Sequence, residues 1–196
     1  MVVQAEDVSR TVGYVVAGGR SVRMGRDKAL LPWEGGTLLD HAIARLRAVG
    51  GEVRILSGPE RRYEDRGVPV VADRARDAGP LAGLEAALAD ANGRPILFLG
   101  VDLPFVTSAL LEALRSWLVG ADAAVPVVAG RPEPLCAAYG PGCLDAVRAR
   151  LAAGERRMTS FWPDVPVHEV REAELAGLGD AALLFRNLNR PQDLAD

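Results

Sequence analysis

The amino-acid sequence predicts an α/β fold with a mixed, mainly parallel central sheet. Short apolar segments typical of strands alternate, along most of the chain, with segments whose apolar residues recur at helical spacing. Residues 95–101 form a continuous apolar run, which is typical of a central strand buried on both faces. Residues 123–139 contain two strand-like runs around a short turn at 130–134, which indicates a local antiparallel departure.

The predicted strands are short and are bounded by turn residues. The first stops at Gly18-Gly19, which indicates a buried strand that enters a tight turn. The predicted strands cover residues 11–16, 52–56, 68–72, 95–101, 123–128, 135–139 and 165–170.

The predicted helices occupy the segments between these strands. The first places its apolar residues on one face, and Gly50-Gly51 ends it. The predicted helices cover residues 37–49, 81–91, 107–119 and 144–152, and a helical tail follows Pro191. Because no repeat, low-complexity tract or linker divides the chain, we expect residues 1–196 to form a single domain.

Composition narrows the class of protein. The hydrophobic share of 49% and charged share of 25% are ordinary for a globular protein, and the net charge of −3 argues against a general nucleic-acid binder. Cys136 and Cys143 form no metal-binding CxxC pair, so we expect two reduced thiols. The first ten residues do not resemble a signal peptide, and no run approaches the roughly 20 apolar residues of a membrane span. We therefore expect a cytoplasmic protein with neither a nucleic-acid nor a membrane partner.

The segment after the first strand has the chemistry of an anion-binding loop. Gly18 and Gly19 let the backbone turn sharply and present successive N–H groups to an anion. A hydroxyl and several cations follow within a few residues, namely Arg20, Ser21, Arg23, Arg26 and Lys28. These groups could hold a triphosphate, since Arg binds phosphate oxygens in pairs and Lys acts as a mobile point charge. The other interpretation is an ordinary glycine-rich turn with solvated basic residues.

An aspartate follows the central apolar run directly. In open α/β sheets, ligands bind beyond the carboxyl ends of the strands, where Asp102 is predicted to lie. A carboxylate there could ligate Mg²⁺, which prefers oxygen ligands and often bridges phosphates. The alternative is a turn residue in Asp102-Leu103-Pro104 that bonds its own backbone.

Residues 17–35, AGGRSVRMGRDKALLPWEG, closely resemble the N-terminal signature of the molybdenum cofactor guanylyltransferases, within the MobA-like nucleotidyltransferase family. The family pattern reads roughly LAGG-x-x-x-R-M-G-x-D-K, and Val16 stands where Leu is usual. The resemblance implies a three-layer, Rossmann-like nucleotidyltransferase fold, catalytic roles for Arg23, Lys28 and Asp102, and Asp102 as the Mg²⁺ ligand. It also implies a nucleotide site formed by Val16, Ala17, Gly18, Gly19, Arg20, Ser21, Lys28, Asp73, Gly79 and Asp102.

Two further segments extend the resemblance towards the nucleotide, with one departure. Asp73, after a predicted strand, and Gly79, which opens the segment GPLAG, match family positions near the nucleotide. Without the family, they could equally be a strand-end turn and a helix N-terminus. Family members often carry a nucleotide-contacting asparagine after the second strand, but residues 55–60 contain none. Ser57 or the Gly58 backbone would have to replace it.

The acceptor side is indicated by the C-terminal segment. Residues 185–194, FRNLNRPQDL, resemble the family segment F-x-N-x-N-x-P-x-D-L, in which Asn187 and Asn189 can bind a pterin edge or phosphate. Arg131 in the 130–135 turn and Arg156 are further acceptor-binding candidates. The alternatives are a helix cap for Asn189, a plain hairpin and a solvated basic pair at Arg156-Arg157.

The resemblance implies transfer of GMP from GTP to the molybdenum-bearing pterin, with Mg²⁺ and release of pyrophosphate, in a monomer or small homo-oligomer. The N-terminal part would bind the NTP and the C-terminal part the acceptor. Two other functions stay open: a cytidylyltransferase for the same pterin or a sugar-1-phosphate nucleotidyltransferase, and a non-catalytic nucleotide- or cofactor-binding module.

Overall fold

The computed structural model describes residues 2–18, 27–72 and 79–188. Within them the strands are β1 Val12–Val16, β2 Pro32–Trp33, β3 Gly36–Thr37, β4 Val53–Leu56, β5 Val70–Val71, β6 Ile96–Gly100, β7 Ala123–Val128, β8 Arg131–Pro132, β9 Cys136–Tyr139 and β10 Val167–Arg171. The α-helices are α1 Leu38–Val49, α2 Pro80–Ala91, α3 Ser108–Trp117, α4 Cys143–Ala152, α5 Glu172–Leu175 and α6 Ala181–Leu184.

The main sheet is mixed and mainly parallel, which confirms the predicted fold class. Its strands lie in the order β10-β7-β9-β6-β1-β4-β5, with β8 paired to β7. Strand β9 runs antiparallel to both of its neighbours, β6 and β7, while β1 is parallel to β4 and β6. The predicted antiparallel departure therefore comes from β9 and the short β8, and β7 itself is parallel to β10.

The sheet is the middle layer of three. Alternate residues of β1 point to opposite faces, so Val15 packs with α1 and α3, whereas Val12 and Tyr14 pack with α2 and α4. Strand β6 is buried along its whole length, as the continuous apolar run predicted. Each face of the sheet thus has its own hydrophobic core. Both cores consist mainly of Leu, Val and Ala, as the low share of aromatic residues requires.

Most predicted helices and strands agree with the structure to within one or two residues. Helix α1 begins at a capping box, in which the Thr37 hydroxyl accepts from Asp40 N and the Asp40 carboxylate accepts from Thr37 N. The segment 130–134, predicted as a turn, also contains the short strand β8. The helical tail after Pro191 lies outside the described residues.

The sequence interpretation missed the β2–β3 hairpin and the two short helices α5 and α6. The hairpin turns on Glu34 and Gly35, whose φ angles are 42° and 82°. Two consecutive left-handed residues are typical of a tight two-residue hairpin, and the pair Glu-Gly in the sequence is a weak signal for it.

Both cysteines, Cys136 and Cys143, are buried and free, as predicted. Burial raises the pKa of each thiol, which keeps them protonated at neutral pH. In the part of the chain that the structure describes, no helix has the length and apolar character needed to cross a membrane.

Candidate functional site

The site begins where β1 and β6 end side by side. Val16 and Gly100 are register partners at the carboxyl ends of these parallel strands. From β1 the chain proceeds to β4 on one side, while β6 lies on the other, so the two strands flank a topological switch point. The glycine-rich segment leaves β1 and the Asp102 turn leaves β6 at this shared edge, which we call the carboxyl edge of the sheet.

Lys28 and Asp102 meet at the carboxyl edge. The Lys28 Nζ donates to Asp102 Oδ2 across 3.2 Å, although the residues are 74 positions apart in sequence. Their side chains are 14% and 24% exposed, so the pair is partly shielded from water yet open to a ligand. The two residues that the sequence assigned to phosphate and metal binding are thus neighbours in space.

Gly100 makes room for the Asp102 carboxylate. A Cβ on Gly100 would lie 2.7 Å from Asp102 Oδ1 and 3.3 Å from the Cβ of Leu135. The position of the carboxylate therefore depends on a missing side chain two residues earlier, a feature that the sequence interpretation did not use.

Gly18 is required for space rather than for a left-handed backbone angle. A Cβ there would lie 2.6 Å from the backbone N of Gly58, which follows β4 and has a φ of 80°. The sequence interpretation assigned Gly18 to a tight turn, and the structure adds close contact between the backbones of two loops. Ala17 continues the β1–β4 pairing, since its N–H donates to Leu56 O at 2.9 Å.

The 57–60 turn does not present a free hydroxyl at the position of the absent asparagine. The Ser57 side chain is buried and donates to the backbone oxygen of Glu60 within the same turn. The Ser57 hydroxyl is thus engaged within the protein, and a contact from the Gly58 backbone to the nucleotide stays a prediction.

The C-terminal segment contacts the Asp102 turn. The N–H of Leu188 donates to the backbone oxygen of Asp102 at 3.1 Å, which places the exposed Asn187 beside the carboxyl edge. The guanidinium of Arg186 lies over the ring of Phe105, 5.8 Å from its centroid, and Phe105 packs edge-to-face with Trp33 of the β2–β3 hairpin. This connection brings a segment from the far end of the sequence to the same place as Lys28.

Glu133 is a further acidic residue that the sequence interpretation did not select. Burial and the negative charge of Asp102 raise the pKa of Glu133, and the nearby Arg131 opposes this shift. Glu133 therefore contributes to the electrostatic field of the site. The sequence feature that could have identified it is its place in the 130–135 turn, close to the selected Arg131.

The other predicted site residues either lie apart from the Lys28–Asp102 pair or fall outside the described residues. Gly79 caps the N-terminus of α2, which follows β5, while Arg131 and Arg156 are both exposed. No hydrogen bond or ion pair among the described residues joins these three to Lys28 or Asp102. The predicted site residues Gly19, Arg20, Ser21, Arg23, Asp73 and Asn189 lie outside the described residues.

The donor set suits a metal that is shared with a nucleotide. Within the described ranges, no group of three or more His, Cys, Asp or Glu side chains forms a protein-only metal cage. Mg²⁺ is commonly held by one or two carboxylates while substrate phosphates and water complete its ligands. An accessible Asp102 beside the ammonium group of Lys28 fits that arrangement.

Comparison with known proteins identifies the family of this chain. The family model of the MobA-like NTP transferase domain matches residues 13–167. A probable molybdenum cofactor guanylyltransferase of Pelotomaculum thermopropionicum is 36% identical over 94% of this chain and 90% of its own length, and one of Deinococcus radiodurans is 40% identical over 93% and 91%. The crystal structure of molybdopterin-guanine dinucleotide biosynthesis protein A from Archaeoglobus fulgidus has the same fold, with a TM-score of 0.80 at 23% identity over 94% of this chain and 95% of that one. The chain therefore belongs to the MobA-like NTP transferase family and is a nucleotidyltransferase.

Proposed function

We propose that this nucleotidyltransferase transfers GMP from GTP to the molybdenum-bearing pterin cofactor, with release of pyrophosphate. The observation that carries the proposal is the 3.2 Å pair of Lys28 and Asp102 at the switch point of the sheet. Relatives that are similar over nine-tenths of the chain are named probable molybdenum cofactor guanylyltransferases, which supports GMP as the transferred group and the pterin as the acceptor.

In the proposed reaction, a phosphate oxygen of the pterin attacks the α-phosphorus of GTP. A new P–O bond forms, the bond between the α-phosphorus and the bridging oxygen breaks, and pyrophosphate leaves with the bond electrons. The attacking phosphate is already ionised at neutral pH, so the step needs no strong general base. Catalysis comes from positioning and from stabilisation of the charge that builds on the phosphates.

The chain's own residues divide this work. Lys28 binds phosphate oxygens as a point charge and offsets charge on the departing pyrophosphate. Asp102 would hold Mg²⁺, which neutralises phosphate charge when it is bound. Asn187 beside the Asp102 turn offers an amide donor and an acceptor to the pterin. Arg23 and the loop amides complete the phosphate site in this proposal, with Asp73 and Gly79 near the nucleotide and Arg131, Arg156 and Asn189 near the acceptor.

Incubation with Mg²⁺, the pterin acceptor and each of the four NTPs tests the substrate assignment. We expect pyrophosphate release and a guanine dinucleotide product with GTP, detected by coupled assay and chromatography. Turnover with CTP but not with GTP would make the protein a cytidylyltransferase. Nucleotide binding without turnover for any NTP would make it a binding module.

The role of Asp102 is tested by Asp102→Asn, which preserves shape and removes the charge. We expect kcat to fall by a factor on the order of 10³, because an electrostatic contact to the reacting phosphates is lost. The control is Asp145→Asn on the exposed start of α4, which we expect to leave kcat unchanged. Equal kcat values for the two variants would remove Asp102 from the mechanism.

A further inference from the structure

The carboxylate of Asp27 is held by two side chains from the segment after β4. Arg62 Nη1 donates to Asp27 Oδ2 at 3.1 Å, and the Tyr63 hydroxyl lies 2.8 Å and 3.0 Å from the two carboxylate oxygens. The sequence interpretation assigned no role to Arg62 or Tyr63. Both are about 35 residues from Asp27 in sequence, so the fold alone brings the three together.

The same two side chains also contact the backbone of Ala17. Arg62 Nη2 donates to Ala17 O at 3.3 Å and to Ser57 O at 3.1 Å, and the Tyr63 hydroxyl is 3.5 Å from Ala17 O. Ala17 and Asp27 flank the glycine-rich segment in sequence. Arg62 and Tyr63 therefore connect the two flanks of the segment that the family resemblance assigns to the phosphates.

Asp27 in turn fixes the place of Lys28. Its carboxylate also accepts from Ala29 N at 3.1 Å and caps the short 3-10 helix Lys28–Leu30. Lys28 opens that helix and reaches Asp102 at 3.2 Å. A chain of direct contacts thus runs from Arg62 through Asp27 to the Lys28–Asp102 pair.

The position of Tyr63 is fixed by burial and by an unusual backbone conformation. It is 7% exposed, and its backbone adopts a left-handed φ of 69°, which residues with a side chain rarely adopt. Burial and the hydrogen bond to Asp27 raise the pKa of the Tyr63 hydroxyl, so it stays a donor at neutral pH. The guanidinium of Arg62 lies 5.1 Å from the centroid of the Tyr63 ring, within the range of cation–π attraction.

We propose that Arg62 and Tyr63 are positioning residues for nucleotidyl transfer, which tie Ala17 to Asp27 and thereby hold Lys28 opposite Asp102. The inference rests on the function proposed above. It also gives a role to the segment after β4, in which this chain lacks the family's asparagine.

Steady-state kinetics of Arg62→Ala and Tyr63→Phe test the proposal. For Arg62→Ala we expect KM for GTP to rise about tenfold, which corresponds to the loss of one charge-assisted hydrogen bond between a displaced Lys28 and a phosphate oxygen. Guanidinium at a non-denaturing concentration is expected to restore part of kcat/KM, because it can refill the space beside Asp27. Tyr63→Phe, which removes only the hydroxyl, is expected to raise KM about threefold.

Arg61→Ala is the matched control. Arg61 is the neighbouring arginine, its side chain is 61% exposed, and it pairs with Glu64 at the surface. We expect its KM for GTP to equal that of the wild type. A purely structural role for Arg62 would reduce only the fraction of folded enzyme, with no change in KM and no rescue by guanidinium, and that result would overturn the proposal.

Hydrogen exchange in the protein without nucleotide separates this inference from the proposed function. We expect the Ala29 amide to exchange about tenfold faster in Arg62→Ala than in Arg61→Ala, because its acceptor Asp27 is no longer held. Equal exchange in the two variants would overturn the positioning role even if the enzyme is active. If Ala29 exchanges faster in Arg62→Ala but the wild-type protein turns over no NTP, the positioning contacts stand and only the proposed function fails.

Discussion

At both the carboxyl edge and the amino edge of the sheet, an aspartate side chain packs against a glycine, but the two aspartates differ in exposure. At the carboxyl edge, the space that a Cβ on Gly100 would need is taken by Asp102, whose side chain is 24% exposed and paired with Lys28. At the opposite edge, a Cβ on Gly142 would overlap the carboxylate of Asp122, which is 2% exposed. A carboxylate can serve chemistry only where a ligand can reach it, so we expect the same local contact to affect turnover at the carboxyl edge and stability at the opposite edge.

The amino edge of the sheet, opposite the site, also contains a network of ion pairs and hydrogen bonds. Asp90 at the end of α2 accepts from the Tyr14 hydroxyl at 2.6 Å and pairs with Arg54 of β4. Arg54 in turn pairs with Glu52 at 2.8 Å. These contacts join β1, β4 and α2, and we expect them to act on stability rather than on turnover.

Among the substitutions that compare the two edges, Gly100→Ala has the largest expected effect, a loss of turnover. The added Cβ would displace the Asp102 carboxylate, and a shift of about 1 Å at a reacting group can lower kcat about 100-fold. Because the closest atom is the end of a side chain, and Leu135 Cβ lies farther away at 3.3 Å, we expect a smaller fall in melting temperature than in Gly142→Ala. The measurement is kcat together with a thermal unfolding curve.

Gly142→Ala is the matched substitution at the amino edge. It also displaces a carboxylate, but one that is buried, so we expect a lower melting temperature and an unchanged kcat per folded molecule. Loss of kcat in Gly142→Ala, with none in Gly100→Ala, would contradict the contrast between the edges.

The next effect in size is that of Asp90→Ala on stability. The substitution removes the acceptor of the Tyr14 hydroxyl and the partner of Arg54, and we expect the free energy of unfolding to fall by about 2 kcal/mol. Urea denaturation measures this, and kcat per folded molecule is expected to stay the same. Asp90→Asn keeps an acceptor for Tyr14, so it should lose less stability than Asp90→Ala, and a larger loss would refute the role given to the hydrogen bond.

The smallest effect concerns Asp40, on the helix that packs behind the site. Burial raises the pKa of Asp40, but hydrogen bonds from Thr37 and the charge of Arg66 outweigh it and hold the pKa below its ordinary value. A lowered carboxylate pKa means that the stabilisation is present above about pH 4 and is lost as the pH falls through the folded-state pKa.

Asp40→Asn measures this contribution. At pH 7 we expect it to lower the free energy of unfolding by about 0.5–1 kcal/mol, since Asp40 is 41% exposed and its ion pair is screened. The difference from the wild type should shrink below about pH 4, as followed by urea denaturation at pH 7, 5, 4 and 3. A difference that is the same at every pH would show that the charge of Asp40 has no part in it.

The sequence by itself determined the features that depend on nearby residues. The helical spacing of apolar residues, ended by Gly50-Gly51, predicted α1, and the continuous apolar run at 95–101 predicted β6, because both patterns are local properties of the chain. The place of Asp102 at the end of a buried strand also followed from the sequence, because the apolar run stops directly before it. The rule that ligands bind at the carboxyl ends of such strands then made Asp102 a candidate site residue. The family resemblance of residues 17–35 added the nucleotidyltransferase assignment, which the family match confirms.

Tertiary structure decided which distant residues meet. Lys28 and Asp102 are 74 positions apart, and nothing in their local sequences shows that they lie within 3.2 Å. The contact of Arg62 with Asp27 and the space that Gly18 gives to Gly58 arise likewise from separate strands that end at one edge. Such contacts depend on strand order and register, which the packing of the whole sheet sets, so local sequence patterns could not predict them.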